Sequence, residues 1–229
     1  MPHGLSAILL ANCGELARLE GTAGEGPGLR RGGGDSGSSK AACREAFLKF
    51  FQKLSDLERN PRVIASGGRL KAFQNFCDAL ASGRDEVILL LVDAERPVAA
   101  SVWIHLSAPP DNWRKPQVAS AEQAHLMVQS MEAWFIADRE AVTRYYGRGF
   151  RVNSLPRRQD IENIPKDDLV PALERASGNT KKGRYHKTRH AYEILALISP
   201  AKVRQSSPHA HRFFRVLEQA TQSDGLRDR

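Results

Sequence analysis

The amino-acid sequence predicts an α/β fold built on a mainly parallel central sheet that is flanked by helices. Residues 86–92 (EVILLLV) form an uninterrupted apolar run, which is typical of a central parallel strand because helices cover both of its faces. Amphipathic helical patterns precede this run and alternate with a shorter strand pattern. The order helix, strand, helix, strand predicts crossover connections and therefore parallel pairing.

The amino-terminal region contains two segments of different composition. Leu5–Ala11 (LSAILLA) is a short apolar run, whereas residues 14–41 are rich in Gly and Ser and predict a flexible loop. No Lys or Arg precedes the apolar run, and Asn12 rather than a small residue precedes Cys13. A signal peptide is therefore not expected.

A helix, a strand and a second helix are predicted next. Apolar residues at helical spacing over residues 43–57 predict an amphipathic helix, which Pro61 would end because the residue before a proline disfavours helical geometry. Residues 62–65 (RVIA) predict a short strand. The apolar positions over residues 70–80 predict a second helix that ends at Gly83.

The remaining elements are less regular in sequence. A short apolar stretch at residues 126–128 leads into two helical pieces that end at Gly147. Residues 148–186 are rich in Pro and Arg, and we expect them to be mostly irregular. Residues 191–198 predict a helix, and Ser207-Pro208 predicts the start of the last one, with Ser as the N-cap and Pro at the first helical position.

Positive charge is concentrated in the carboxyl-terminal part of the chain. The net charge is +8, but residues 1–138 carry 15 basic and 16 acidic side chains, whereas residues 139–229 carry 19 basic and 10 acidic ones. Such a concentration favours a polyanionic partner such as DNA or RNA, and the alternative is a solvated basic surface. We predict an atypical or poorly ordered segment (1–31), an α/β core (32–138) and a basic, mainly helical extension packed on that core (139–229).

Cysteine usage indicates a reducing compartment, and hydropathy indicates that the chain does not span a membrane. The three cysteines, Cys13, Cys43 and Cys77, form no C-x-x-C pair, so neither a disulfide framework nor a zinc site is expected. Cys43 and Cys77 lie on apolar helical stripes and are expected to be buried. No apolar run reaches the roughly 18 residues that a membrane span needs, and we expect a cytoplasmic protein.

Asp93 and Glu95 follow the predicted central strand (LLLVDAE) and are the strongest candidate site residues. Side chains two positions apart on an extended chain point to the same side. The carboxyl edge of a parallel sheet is where open α/β folds bind ligands, and carboxylate oxygens suit Mg²⁺ or Mn²⁺. The alternative is that Asp93 caps a turn and Glu95 is solvated.

Two further segments contain candidate residues. The loop at residues 32–36 (GGGDS) precedes a helix and can present backbone N–H groups to a phosphate. In residues 125–138 (HLMVQSMEAWFIAD), Ser130 is a predicted N-cap with Glu132 in the first helical turn. The alternative for Glu132 is that it only complements the helix dipole.

Residues 181–190 (KKGRYHKTRH) combine five fixed positive charges, two imidazoles and one aromatic ring. Such a segment can bind backbone phosphates and stack a base on Tyr185. The alternative is a solvated basic loop. The predicted nucleic-acid-binding residues are Lys181, Lys182, Arg184, His186, Lys187 and Arg189.

Together these motifs resemble the bacterial Toprim-like family known as domain of unknown function 4276. The resemblance is carried by GGGDS, LLLVDAE, HLMVQSMEAWFIAD and the YHK segment that precedes ISPAKV, and it extends from about Gly32 to Leu217. The family is similar to the Toprim nucleases of the overcoming-lysogenization-defect class, which are partners or fusions of ABC-type ATPases in phage defence. The resemblance therefore implies a Toprim-like three-layer fold, a nucleic-acid substrate and an ABC-type ATPase partner.

The same resemblance implies a divalent-metal-dependent nuclease site. Asp35, Asp93 and Glu95 would bind Mg²⁺ or Mn²⁺, which aligns and activates a nucleophile for phosphodiester cleavage. The implied catalytic residues are Asp93, Glu95, Glu132 and Lys187. Glu132 would be a further acidic group, and Lys187 would contact the phosphate or the transition state.

The chain departs from the family pattern at the first acidic position. That pattern has a Glu directly before the glycines, where this chain has Arg31, and a guanidinium cannot bind a cation. Either Leu5–Ala11 supplies the first strand, with a long insertion after it, or residues 1–31 are not the authentic start of the domain. Two functions stay open: a Toprim nuclease that Arg31 leaves impaired, or a non-catalytic subunit that binds nucleic acid or the ATPase. A small-molecule phosphotransfer enzyme is a more distant alternative.

Overall fold

Four parallel strands form the centre of the protein, which we describe from a computed structural model over residues 6–12, 37–83 and 85–222. The strands are β1 Ser6–Ala11, β2 Arg62–Ala65, β3 Glu86–Asp93 and β4 Ala124–Met127, and their order in the sheet is β2-β1-β3-β4. All three pairings are parallel. The predicted α/β class with a parallel central sheet is confirmed.

Strand β1 lies in the middle of the sheet although it precedes residue 32. Its last residue, Ala11, pairs with Ala65 of β2 on one side and with Leu91 of β3 on the other. Ala7 to Ala11 are all buried, which explains their unbroken apolar sequence, because helices cover both faces of the sheet. Of the two alternatives for the first strand, the structure has the one in which the early apolar run supplies it. The connection over residues 13–36 lies outside the described residues.

Helices cover both faces of the sheet. Over the described ranges they are α1 Gly37–Phe51, α2 Arg69–Ala81, α3 Val102–Ser107, α4 Met131–Ala137, α5 Arg139–Tyr146, α6 Lys166–Ser177, α7 Ala191–Leu197, α8 Pro200–Ser206 and α9 Pro208–Thr221. Short 3-10 turns lie at Ala121–Gln123, Val152–Ser154 and Ile161–Asn163. Within these ranges, no helix combines the length and the apolar character that crossing a membrane requires.

The sheet separates two apolar cores, which makes the fold three-layered. Alternate residues of β1 belong to different cores, since Leu9 packs on the side of α1 and Ile8 packs on the side of α2. The core on the α1 side also contains the buried faces of α4 to α9. Six aromatic rings meet there, with centroids of neighbouring rings 5.4 to 5.8 Å apart. They belong to Phe47, Phe50, Phe51, Trp134, Phe213 and Phe214.

The extent of one predicted helix was wrong, and one helix was not predicted. Helix α1 ends at Phe51 rather than near Asn60, and the buried Leu54 reaches the core from a turn. Helix α6 occupies part of the stretch that was predicted to be irregular. It tolerates Pro171, which lacks one backbone donor, because its apolar stripe is buried; the stripe is Leu169, Ala172, Leu173 and Ala176.

Other local predictions are confirmed. The Ser207 hydroxyl accepts a hydrogen bond from the backbone N–H of Ala210 (3.0 Å) and caps α9, whose first residue is Pro208. Cys43 is fully buried, whereas Cys77 is only half-buried, so the prediction of buried thiols holds for the first and is too strong for the second. Cys13 lies outside the described residues.

Candidate functional site

Polar side chains converge where β1 and β3 end and where α4 begins. Asn12 directly follows β1, Asp93 is the last residue of β3, and Glu132 is the second residue of α4. Because parallel strands end at one edge of the sheet, this is the position at which α/β folds bind ligands. The three side chains are buried, with 2%, 5% and 2% of their residue surface exposed.

Asp93 is held in one orientation by donors from three elements. Its Oδ2 accepts a hydrogen bond from Asn12 Nδ2 (3.0 Å), and its backbone N–H donates to Asn12 Oδ1 (3.0 Å). Its Oδ1 accepts from the backbone N–H of Met131 (2.8 Å). Arg69 Nε donates to the Asp93 carbonyl (2.8 Å), and the same guanidinium pairs with Asp111. The strand end is therefore rigidly placed.

The electrostatic environment of Asp93 opposes its negative charge. Burial, followed by the charge of Glu132, raises the pKa of Asp93, while the Asn12 hydrogen bond and Lys187 partly counteract this. Two carboxylates thus repel one another in a site that water reaches poorly. A cation bound between them would relieve that repulsion.

Glu132 makes specific contacts with the carboxyl-terminal part of the chain. Its Oε1 accepts a hydrogen bond from the Tyr185 hydroxyl (3.1 Å) and lies 3.4 Å from Lys187 Nζ. Its Oε2 accepts from the Ser130 hydroxyl (2.8 Å). Ser130 is the N-cap residue of α4, as predicted, but its side chain makes no capping hydrogen bond. The buried carboxylate needs a donor, and the hydroxyl turns to it instead of to the helix end.

Glu95 faces a different partner from Asp93. Its backbone is in the left-handed region (φ 67°), and its N–H donates to the Gln129 carbonyl (2.8 Å). Its carboxylate pairs with Lys166, the first residue of α6. Burial and the charge of Lys187 lower the pKa of Lys166. The carboxylates of Asp93 and Glu95 therefore have different partners. Their charges are still coupled, because the charge of Asp93 acts on Lys166, which pairs with Glu95.

Several of these partners were not predicted from the sequence. Asn12 was detectable, since it immediately follows an apolar run that ends at the same sheet edge. Lys166 was not detectable, because nothing in a Pro- and Arg-rich segment indicates which basic side chain contacts Glu95. Tyr185 was predicted to stack a base, which is wrong: it is only 3% exposed, and its hydroxyl is committed to Glu132.

The rest of the basic segment lies on the surface. Lys187 is half-buried beside Glu132, and Lys182 Nζ lies 4.4 Å from the centre of the Tyr145 ring. The side chains of the other predicted nucleic-acid-binding residues are exposed; they are Lys181, Arg184, His186 and Arg189. Lys187 therefore lies beside the buried Glu132, whereas these side chains face solvent.

The donor chemistry at the sheet edge suits a hard divalent ion, since Asp93 and Glu132 offer carboxylate oxygens that repel each other. Within residues 6–12, 37–83 and 85–222, however, no group of three or more His, Cys, Asp or Glu side chains is close enough to hold a metal ion. The predicted third ligand, Asp35, lies outside the described residues, and so does Arg31. The described residues therefore bring together two buried carboxylates, with Lys187 beside Glu132 and Lys166 paired with Glu95.

Comparison with known proteins gives the family and nothing narrower. No curated protein matches the chain, and no solved structure matches it. One family model matches residues 32–218, which include β2 to β4 and most of the helices. That model is described as a domain of unknown function (DUF4276), and because it spans most of the sequence, the chain belongs to the DUF4276 family.

Proposed function

We propose that the protein is a Toprim-like nuclease that cleaves phosphodiester bonds of DNA or RNA with Mg²⁺ or Mn²⁺. The observation that carries this proposal is the buried, mutually repelling pair Asp93 and Glu132 with Lys187 beside it. Residues 181–189, which include Lys187, also carry exposed basic side chains, as binding of a phosphate backbone requires. The proposed setting is a bacterial cytoplasm, in phage defence, with an ABC-type ATPase as the partner.

Each residue has a distinct role in this proposal. Asp93 and Glu132 would hold the divalent ion, and Asp35 would join them, as the family resemblance implies. When bound, that ion activates a nucleophile and neutralises charge on the phosphate. Asn12 and Met131 orient the Asp93 carboxylate through their hydrogen bonds.

Two lysines complete the proposed site. Lys187 Nζ is half-buried, so it can contact the scissile phosphate and stabilise charge that develops there. Lys166 holds the Glu95 carboxylate, which has to leave that ion pair before it can reach a cation. Glu95 can therefore join the site only after its ion pair with Lys166 opens. Asp93 needs no such change.

A second function has its own supporting observation. Arg31 stands where the family pattern has an acidic residue, and the residue that directly follows β1 is the neutral amide Asn12. An amide contributes no charge to a cation site, and here its N–H occupies the Asp93 carboxylate. The alternative is a non-catalytic subunit that keeps the fold and binds nucleic acid or the ATPase.

A cleavage assay on supercoiled DNA and on tRNA separates the two functions. It compares the native chain, Asp93→Asn, Glu132→Gln and the control Asp56→Asn, which makes the same chemical change at an exposed position. Because Arg31 stands where the family pattern has a Glu, we expect weak Mg²⁺- or Mn²⁺-dependent cleavage by the native chain and the control. We expect a further loss of about a hundredfold in the two site variants. Thermal melting of each variant reports whether it is folded.

Two outcomes would contradict the nuclease proposal. Equal cleavage by the native chain and by folded Asp93→Asn would exclude this carboxylate from the chemistry. No cleavage by the native chain, with or without a co-purified ATPase, together with tight binding of the same nucleic acids, would favour the non-catalytic subunit.

A further inference from the structure

A cavity lies next to the first turn of α5, outside the candidate site. It has a volume of about 350 Å³ and is lined by the end of α4, the start of α5, residues 157–159 with Ile161, and the end of α8. This volume is in the range of small-molecule pockets, roughly 300 to 1,000 Å³. None of Asn12, Asp93, Glu132 or Lys187 lines it.

Arg139 gives the cavity an unsatisfied hydrogen-bond donor. Its side chain is half-buried, and its Nη2 is buried without a hydrogen-bond partner. A buried guanidinium N–H that donates to nothing is unfavourable, so such an atom marks a position where an acceptor belongs. Burial and the charge of Arg157 lower the pKa of Arg139, which is consistent with two guanidinium groups close together and no compensating anion.

Arg157 and Arg158 add two exposed guanidinium groups to the lining. Across the described ranges, neither of them nor Arg139 forms an ion pair with a carboxylate. The acidic residue in the lining, Glu140, is already paired with Lys202 (2.8 Å). Lys202 also contacts Asp138 (2.9 Å). Three guanidinium charges therefore surround the cavity without a carboxylate partner.

We propose that this cavity binds a phosphate group of a ligand through Arg139, Arg157 and Arg158. The planar guanidinium offers paired N–H donors that match two phosphate oxygens, and three such groups can contact a single phosphate or a pyrophosphate from different sides. The proposal does not rest on the nuclease function, since the two sites share no residue.

Calorimetric titration of the full chain with inorganic pyrophosphate, and separately with a short single-stranded oligonucleotide, tests the proposal. We expect the double variant Arg139→Gln/Arg157→Gln to bind pyrophosphate, the oligonucleotide or both about tenfold more weakly or worse. Arg144→Gln, which removes the same charge from an exposed position on the same helix, is expected to bind like the native chain. The ligand whose binding weakens identifies the source of the phosphate.

A second variant keeps the test decisive if the half-buried arginine is needed for folding. Arg157→Gln/Arg158→Gln changes only exposed side chains and is expected to give a similar loss. The proposal is overturned if the native chain binds neither probe, or if both double variants bind them as tightly as Arg144→Gln does.

Discussion

Asn12 and Asp93 hold each other across the ends of β1 and β3 through two hydrogen bonds, one in each direction. The amide donates to the carboxylate, and the backbone N–H of Asp93 returns a bond to the amide oxygen. This reciprocal contact joins residues 81 positions apart in the chain. It orients the Asp93 carboxylate. Because Asn12 is neutral, it does not add the negative charge that a cation site would need.

Changing Asn12 to Asp tests whether that missing charge limits metal binding. In Asn12→Asp a new carboxylate faces Asp93 and can still accept the Asp93 N–H bond. We expect the metal-free variant to lose about 1 to 3 kcal/mol of unfolding free energy, because two buried carboxylates then face one another. Mg²⁺ or Mn²⁺ should raise its melting temperature more than that of the native chain, as measured by calorimetry.

The control for this experiment is Asn153→Asp, which makes the same change at an exposed position. Its melting temperature should respond to metal as that of the native chain does. An Asn12→Asp variant that is destabilised but gains nothing from either metal would show that this sheet edge does not bind a divalent cation.

Lys166 is expected to compete with a cation for Glu95. Lys166→Met removes the ion pair and one positive charge beside Asp93. Affinity for Mn²⁺, measured by titration calorimetry, should increase by about three- to tenfold. Lys71→Met removes an exposed lysine and should leave the affinity unchanged; an unchanged affinity in Lys166→Met would mean that no cation binds near Glu95.

The exposed part of the basic segment should contribute to nucleic-acid affinity in a salt-dependent way. The triple variant Lys181→Gln/Lys182→Gln/Arg184→Gln removes up to three phosphate contacts. The plot of log affinity against log salt should become shallower by about 2, since each contact contributes roughly 0.7 to 0.9. Fluorescence anisotropy with a labelled oligonucleotide measures this slope.

A matched triple variant provides the reference for that slope. Lys71→Gln/Arg114→Gln/Lys115→Gln removes the same charges from exposed positions elsewhere on the surface. If both triple variants change the slope equally, the binding depends on net charge alone, and residues 181–184 have no special role.

His125 should make the fold sensitive to acid. Burial, followed by the charge of Arg212, lowers the pKa of His125 from 6.5 to about 3. The unfolded chain therefore binds a proton at a higher pH than the folded chain does. Its contribution to stability is complete above pH 6.5 and is lost as the pH falls towards 3. The loss amounts to about 1.4 kcal/mol for each pH unit in that window.

Denaturant unfolding of the native chain and of His125→Leu across this pH range checks the prediction. The variant should become more stable relative to the native chain as the pH falls below 6.5. His211→Leu replaces an exposed histidine and should follow the native curve. Parallel curves for the native chain and His125→Leu would contradict a buried, neutral imidazole.

The sequence predicted the fold well where local pattern and burial agree. The run at β3 has apolar residues on both faces, and the structure places it between β1 and β4. The first strand stayed ambiguous because a short apolar run separated from the next helix carries no information about its pairing partner. Helix α6 was missed because Pro171 argues against a helix locally, whereas burial of the stripe beneath it decides the outcome.

The candidate site was predicted only in part, for a similar reason. Asp93 and Glu132 were identified because strand ends and helix starts are readable from local sequence. Their partners depend on contacts between distant segments, such as Glu95 with Lys166 and Glu132 with Tyr185. The expectation of base stacking failed because an aromatic residue within a basic run can equally be the anchor that fixes the run to the core.

The span of chain between Asn12 and Lys187 has a consequence for synthesis in the cell. A protein emerges from the ribosome from its amino terminus, and here Glu132 meets its tyrosine and lysine partners only after the segment around residue 185 has been released. The residues of all four strands are therefore released before Tyr185 and Lys187, the partners of Glu132. Any chemistry that needs Tyr185 or Lys187 is withheld until that segment has been released.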